Sequence, residues 1–185
     1  MGCVSLRQVY WEIMHHEYTS NSYPLMVELL WRDYFRFMFK KHGSKFYNAA
    51  GFKSEAPETV TNQMALFEQW KTGTTGMPFI DACMHELNAT GYISNASRQL
   101  VAAYLVKELK VDWTLGAALF EEKLIDYSPA SNWGNWAFIA GVGNDPRDNR
   151  NYNIPKMAHD LDPKGEYVKT WLPDVAEGDL LQSAS

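Results

Sequence analysis

A chain of 185 residues, 46% of them hydrophobic, is long enough for one domain with a real core and hardly long enough for two. Its net charge of -5 excludes a polycation, so any nucleic-acid contact has to come from a local basic patch and depend strongly on salt. The two cysteines, Cys3 and Cys83, make neither a metal spacing nor a disulfide framework, no stretch reaches the roughly 20 apolar residues of a membrane span, and the start carries no secretory pattern; an intracellular protein with no metal and no membrane contact is expected. Aromatic residues make up 14% of the chain, with 7 Trp, which points to stacking surfaces, a large flat ligand or bulky core packing.

Nearly every long segment reads as helix. Ser5 followed by Gln8 is a capping-box pattern, and Val9 and Ile13 continue an apolar stripe. Pro24 opens a helix over residues 24–41, where Glu28, Arg32, Arg36 and Lys40 recur every four residues on an otherwise apolar and aromatic cylinder. That much apolar surface predicts a mostly buried helix whose charged stripe needs partners or a ligand. Residues 43–61 read as a loop region and GTTG (73–76) as a turn. Pro78 opens a helix with Phe79, Ile80, Cys83, Met84 and Leu87 on its inner face. A helix from about Ala96 to Lys110 has Leu100, Val101, Tyr104, Leu105 and Leu109 on its apolar side, and another covers residues 114–125.

The stretch IDYSPASNWGNW (125–136) reads as something other than a plain helix. Pro129 and Gly134 break the run, and Asn, Ser and Gly favour turns, yet two tryptophans sit among them. Beyond Asp145, with Pro146, Pro155, Pro163 and Pro173, the chain reads as irregular, and residues 174–185 read as a flexible acidic tail. Strand alternation is nowhere evident, so the fold class is all-α, one domain over residues 1–173.

Common catalytic patterns are missing. The chain has no GxSxG and no HExxH; His15 and His16 are adjacent and cannot face one ligand from a helix; GVG (141–143) runs into Asn-Asp-Pro, not into a helix. Hydrolase and metalloenzyme readings therefore lack support. The opening MGCVSL departs from a myristoylation signal at Leu6.

Other motifs follow one another in an informative order. WRDYFRFMF (31–39), W-x-x-G-x-T-G-x-P-F-I-D-A-x-M from Trp70 and SNASRQLVAAYL (94–105) come first. DW (112–113), LIDYSPASNWGNW (124–136), GVGNDPRDNRNYNIPK (141–156) and DPKGEYVKTWLP (162–173) come after. In this order they resemble the FAD-binding helical domain of the photolyase and cryptochrome family. Gln99 after Arg98 and the NIPK ending are most similar to the DASH cryptochromes.

The resemblance implies FAD bound in a folded-over shape and blue light used to move an electron, with the cofactor supplying the chemistry and the protein its position and electrostatics. It implies that Asn132 faces the flavin ring nitrogen, with Asp126 and its basic partner Arg98 beside the ring and Asn95 between cofactor and substrate. From the residues alone, the alternatives are an Asx-turn at Asn132 and a helix N-cap at Asn95. Trp136, Trp113 and Trp70 correspond to three tryptophans that pass electrons inward from the surface. Trp133 has no such counterpart and is assigned to packing, and Gly134 to close approach at the site. Glu28 and Trp31 correspond to the substrate mouth, where a flipped-out pyrimidine dimer would be held, with Phe138 adding apolar contact. Arg32, Arg36, Lys40, Arg147, Arg150 and Lys156 are candidate phosphate contacts.

The chain also departs from the family pattern. Ser128 stands where a second acidic residue is usual, Ala96 where Arg is usual and Met157 where Gln is usual. The family's antenna domain and its Ser/Thr-rich phosphate-binding segment would precede Gly2. The expected domain is thus incomplete at its N-terminus, with FAD binding weakened or lost and no antenna chromophore; a separate chain supplying that region is a candidate partner. The expected activity is light-driven repair of cyclobutane pyrimidine dimers, mainly in single-stranded DNA, by a photolyase-type lyase if FAD is bound. The alternatives are a flavin photoreceptor or nucleic-acid-binding module without repair, and a fragment that no longer binds FAD.

Overall fold

The computed structural model describes residues 4–15, 23–143 and 152–173. Among these, nine α-helices follow in chain order: α1 Leu6–His15, α2 Tyr23–His42, α3 Gln63–Thr72, α4 Pro78–Thr90, α5 Asn95–Ala103, α6 Trp113–Lys123, α7 Pro129–Ala140, α8 Ile154–Leu161 and α9 Glu166–Trp171. The described residues contain no strand, and the fold is all-α. No described helix is long and apolar enough to cross a membrane.

Local chemistry sets several boundaries. Pro78 occupies the first turn of α4, and Gly91 ends that helix at φ 72, a left-handed conformation that disfavours any residue with a Cβ. Ser94 caps α5 by accepting from the Ser97 N–H, and Asp112 caps α6 by accepting from the Thr114 N–H. The core joins α3 to α7. Trp70, Ile80, Met84, Leu87, Leu100, Leu105 and Trp113 are fully buried in one cluster, which Trp136 joins.

The largest difference from the sequence reading is α7. Residues 129–140 are helical, because Pro129 sits in the first turn, where its missing N–H does no harm. Gly134 lies inside the helix for a tertiary reason: a Cβ there would stand 2.3 Å from a ring carbon of Phe35 on α2. The helix packs against both α2 and α6, and buries Trp133 and Trp136. The tryptophans are core residues after all, and the turn-prone composition serves a helix held between two others.

Other helices add detail to the sequence reading, and two of them correct it. Only Phe35 of α2 is fully buried, while Leu25, Leu30, Trp31 and Phe37 are exposed, so the charged stripe has solvent available and needs no buried partners. The helix expected from about Ala96 to Lys110 runs from Asn95 to Glu108 and widens into a π-turn over Tyr104–Glu108, where the Leu109 N–H reaches the Tyr104 carbonyl at 3.1 Å. The segment expected to be irregular beyond Asp145 contains α8 and α9. Asn153 caps α8 through the Lys156 N–H at 3.0 Å, and the Asp162 carboxylate holds the N–H groups of Tyr167 and Val168 at the start of α9.

Candidate functional site

A cavity of about 680 Å³ opens between α2, α5 and α7. Pockets of this size accept ligands as large as cofactors. Its lining brings together Glu28, Trp31 and Arg32 from α2, Asn95 and Arg98 from α5, Asp126 and Ser128 from the α6–α7 connection, and Asn132, Trp136 and Phe138 from α7. All of these were expected at the site. Trp113 and Trp70 do not line it, and Arg36, Lys40 and Lys156 are exposed elsewhere. Arg147 and Arg150 lie outside the described residues.

The polar groups have defined settings. Asn132 is 8% exposed and its Nδ2 donates to the Ala117 carbonyl at 2.9 Å. No buried side-chain oxygen lacks a partner among the described residues, so the Asn132 Oδ1, which has none, is turned to the open cavity. Asn132 is a mid-helix residue and makes no Asx-turn. Asn95 is not the N-cap either, since Ser94 takes that place, so its exposed side chain is left to the cavity. Ser128 occupies the N-cap position of α7 without making a side-chain cap.

Arg98 and Asp126 form an ion pair at 3.0 Å at the rim, where both are partly exposed. The Arg98 Nε also donates to the Ile93 carbonyl at 2.9 Å, and its guanidinium lies over the Tyr92 ring at 5.3 Å. These contacts fix where the positive charge stands. A pair this accessible adds little stability of its own.

The apolar wall is aromatic. Trp136 meets Phe120 edge-on at 5.1 Å between centroids and Trp70 at 6.1 Å. It packs so closely on Gly116 that a Cβ there would fall 2.3 Å from the indole. At the mouth, Trp31 is 39% exposed and lies 5.7 Å from Phe35 and 5.8 Å from Phe138. Arg32 is paired with its neighbour Asp33 at 2.7 Å.

The expected electron path needs correction. Trp70, Trp113 and Trp136 are 0%, 1% and 2% exposed, so none of them is a surface terminus. Trp70 sits beside Trp136 with its indole N–H on the Val101 carbonyl, and the tryptophan that meets Trp113 is Trp133.

Sequence reading missed Phe35, Gln99, Phe120, Ser131, Asn135 and Ile139, which also line the cavity. Residues 128, 131, 132, 135 and 139 share one face of a helix. The spacing carries that signal, and the turn-favouring composition of the segment masks it. No group of three His, Cys, Asp or Glu among the described residues could hold a metal ion.

The cavity's features fit a flavin ring: flat apolar walls, a neutral amide with a free oxygen, and a fixed ion pair at one edge. Comparison with known proteins agrees. A family model described as the FAD binding domain of DNA photolyase matches residues 25–181. A cryptochrome DASH of Gloeobacter violaceus is 48% identical over 181 residues, covering 95% of this chain and 36% of its own length. A chloroplastic/mitochondrial cryptochrome DASH of Oryza sativa is 46% identical over 178 residues, covering 94% of this chain and 30% of its own. The chain thus spans about a third of the length of these relatives. Among solved structures, a cryptochrome of Synechocystis sp. PCC6803 is similar at a TM-score of 0.86 and 41% identity, over 98% of this chain and 41% of that one. An archaeal photolyase of Sulfolobus tokodaii, solved with two FAD molecules, is similar at 0.83 and 36% identity, over 98% and 41%. The matched residues take in the whole described lining of the cavity, and the chain belongs to the FAD-binding domain family of DNA photolyase, related to the DASH cryptochromes.

Proposed function

We propose that the cavity takes the isoalloxazine ring of FAD and that the chain carries light-driven electron transfer used to split cyclobutane pyrimidine dimers in single-stranded DNA. The observation that carries this reading is Asn132. Its Nδ2 is committed to Ala117, and its oxygen faces the cavity beside the Trp136 wall. A carbonyl oxygen there can accept from a protonated ring nitrogen without adding a charge. Bound FAD supplies the photoexcited redox chemistry. The protein's own share is placement. Arg98 and Asp126 would hold opposite charges beside a bound ring, Trp136 supplies an indole in the cavity wall, and Trp31 with Phe138 offers an apolar mouth for an unstacked base.

Among the described residues the lining contains two arginines and no lysine, and each of these arginines is already paired with a carboxylate. Affinity for FAD within these residues therefore comes mainly from the ring, and riboflavin should bind nearly as well as FAD. The test is repair of a dimer-containing single-stranded oligonucleotide under blue light with added FAD. Trp31→Ala should weaken oligonucleotide binding and repair together. Flavin that is photoreduced with no repair at any oligonucleotide concentration would remove the repair assignment and leave a photoreceptor.

A further inference from the structure

A second aromatic series lies on the side of α7 away from the cavity. Trp113 meets Trp133 edge-on, with centroids 5.8 Å apart. Trp133 is 7% exposed and meets Tyr47 at 4.8 Å. Tyr47, in the 3-10 turn after α2, is 46% exposed, so the series ends in solvent. It also connects inward. Trp136 packs on Gly116, one turn of α6 from Trp113, and Trp133 precedes Trp136 by one turn of α7.

The indole hydrogen bonds separate this series from ordinary packing. Trp70 and Trp113 donate to backbone carbonyls at 3.0 and 2.9 Å, as buried indoles commonly do. Trp133 donates instead to a carboxylate, Glu121 Oε2, at 2.8 Å. The Tyr127 phenol lies against the same carboxylate. No cation of the described residues is paired with Glu121. An uncompensated negative charge at an indole N–H favours a positive charge on that ring and offers its proton a destination.

We propose that Trp133 and Tyr47 form the surface end of the electron path, with Glu121 as the proton acceptor for Trp133. The inference rests on the flavin reading above and takes photoexcited, oxidised flavin as the one-electron oxidant, acting through Trp136 on Trp113. Trp133 gives one electron to oxidised Trp113, which returns to a neutral indole. The Trp133 radical cation then loses its Nε1 proton to Glu121: the N–H bond breaks, an O–H bond forms, and a neutral indolyl radical faces a carboxylic acid. Tyr47 supplies the next electron and releases its phenolic proton to solvent, while Trp133 recovers its proton from Glu121. The net result moves one electron inward and one proton to water.

Two arms test this. In the FAD-loaded chain, flash photolysis of Trp133→Phe should shorten the lifetime of the separated charges roughly tenfold or more while FAD binding is unchanged. Tyr47→Phe should convert a trapped tyrosyl radical, seen by electron paramagnetic resonance, into a tryptophanyl one. An unchanged lifetime in Trp133→Phe with FAD bound overturns the inference and leaves the flavin reading standing. In the flavin-free Tyr47→Phe chain, where the radical cannot move on to residue 47, flash oxidation by a soluble ruthenium oxidant is compared with and without Trp133→Phe. The difference spectrum should be that of a neutral indolyl radical, and Glu121→Gln should leave a radical cation that loses its proton roughly tenfold more slowly. A null difference, or a radical indifferent to Glu121→Gln, overturns the proposal whether or not FAD binds.

Discussion

Replacing Gly116 by Ala should destabilise the protein and disturb the cavity together, although Gly to Ala inside a helix is ordinarily stabilising. The added Cβ would stand 2.3 and 2.6 Å from two ring carbons of Trp136 and 2.7 Å from a methyl of Leu105. Carbon atoms rest at about 3.5–4.0 Å, so the indole must retreat by roughly 1 Å or more. Phe120 and Trp70 hold its other sides, and the cavity is the open one. Helix propensity favours the variant by about 1 kcal/mol, while overpacking a core of this kind costs about 1–3 kcal/mol. The net expectation is a loss of up to about 2 kcal/mol, with weaker flavin binding because the wall has moved. Urea unfolding of the purified chain measures the first and flavin titration the second. Gly116→Ala combined with Trp136→Phe should be more stable than the sum of the single effects predicts, since a smaller ring relieves the clash. A Gly116→Ala protein stabilised by about 1 kcal/mol, or strict additivity in the double variant, would refute the packing argument.

Asn132→Asp loses the buried bond to the Ala117 carbonyl and should cost about 1–3 kcal/mol in urea unfolding, while changing which flavin redox form accumulates under light. Trp136→Phe should slow flavin photoreduction in a stopped-illumination assay without abolishing flavin binding. Ser94→Ala removes the cap of α5, the helix that carries Asn95 and Arg98, and should cost about 1 kcal/mol by the same unfolding measurement. Burial raises the Cys83 thiol from 9.0 to about 12. The folded chain therefore keeps a proton that the unfolded chain releases first: this contribution is whole below pH 9.0 and is lost as pH climbs toward 12. Unfolding free energies from urea titration should fall across that window, by at most about 1.4 kcal/mol per pH unit for this one group, and those of Cys83→Ala should fall less steeply.

Some of the fold was legible because local chemistry and packing agree. Pro78 and the spacing of Phe79, Ile80, Cys83, Met84 and Leu87 announce α4 directly, and all five side chains are buried. Helix α7 was illegible for the opposite reason. Gly134 answers to Phe35 and Asn132 to Ala117, both distant in sequence, so local turn propensity pointed the wrong way. Apolar content overstated the burial of α2, where Leu30 and Phe37 are exposed. At the site, the order of motifs brought ten residues to one cavity, but no motif carries direction or depth. Trp70 therefore passed for a surface relay, although it is enclosed between Trp136, Phe120 and Phe67. Trp133 does pack in the core, as expected, but no motif shows that its N–H meets a carboxylate.

The central claim, that the cavity between α2, α5 and α7 holds a flavin ring, is tested most directly by titrating the purified chain into FAD and following flavin fluorescence. Contact with Trp136 should quench the emission in a saturable way, and heat denaturation should restore it. Phe120→Ala and Asn132→Ala should each weaken the binding. Emission that stays at the level of free FAD at every protein concentration, from a chain shown to be helical and folded, would contradict the account.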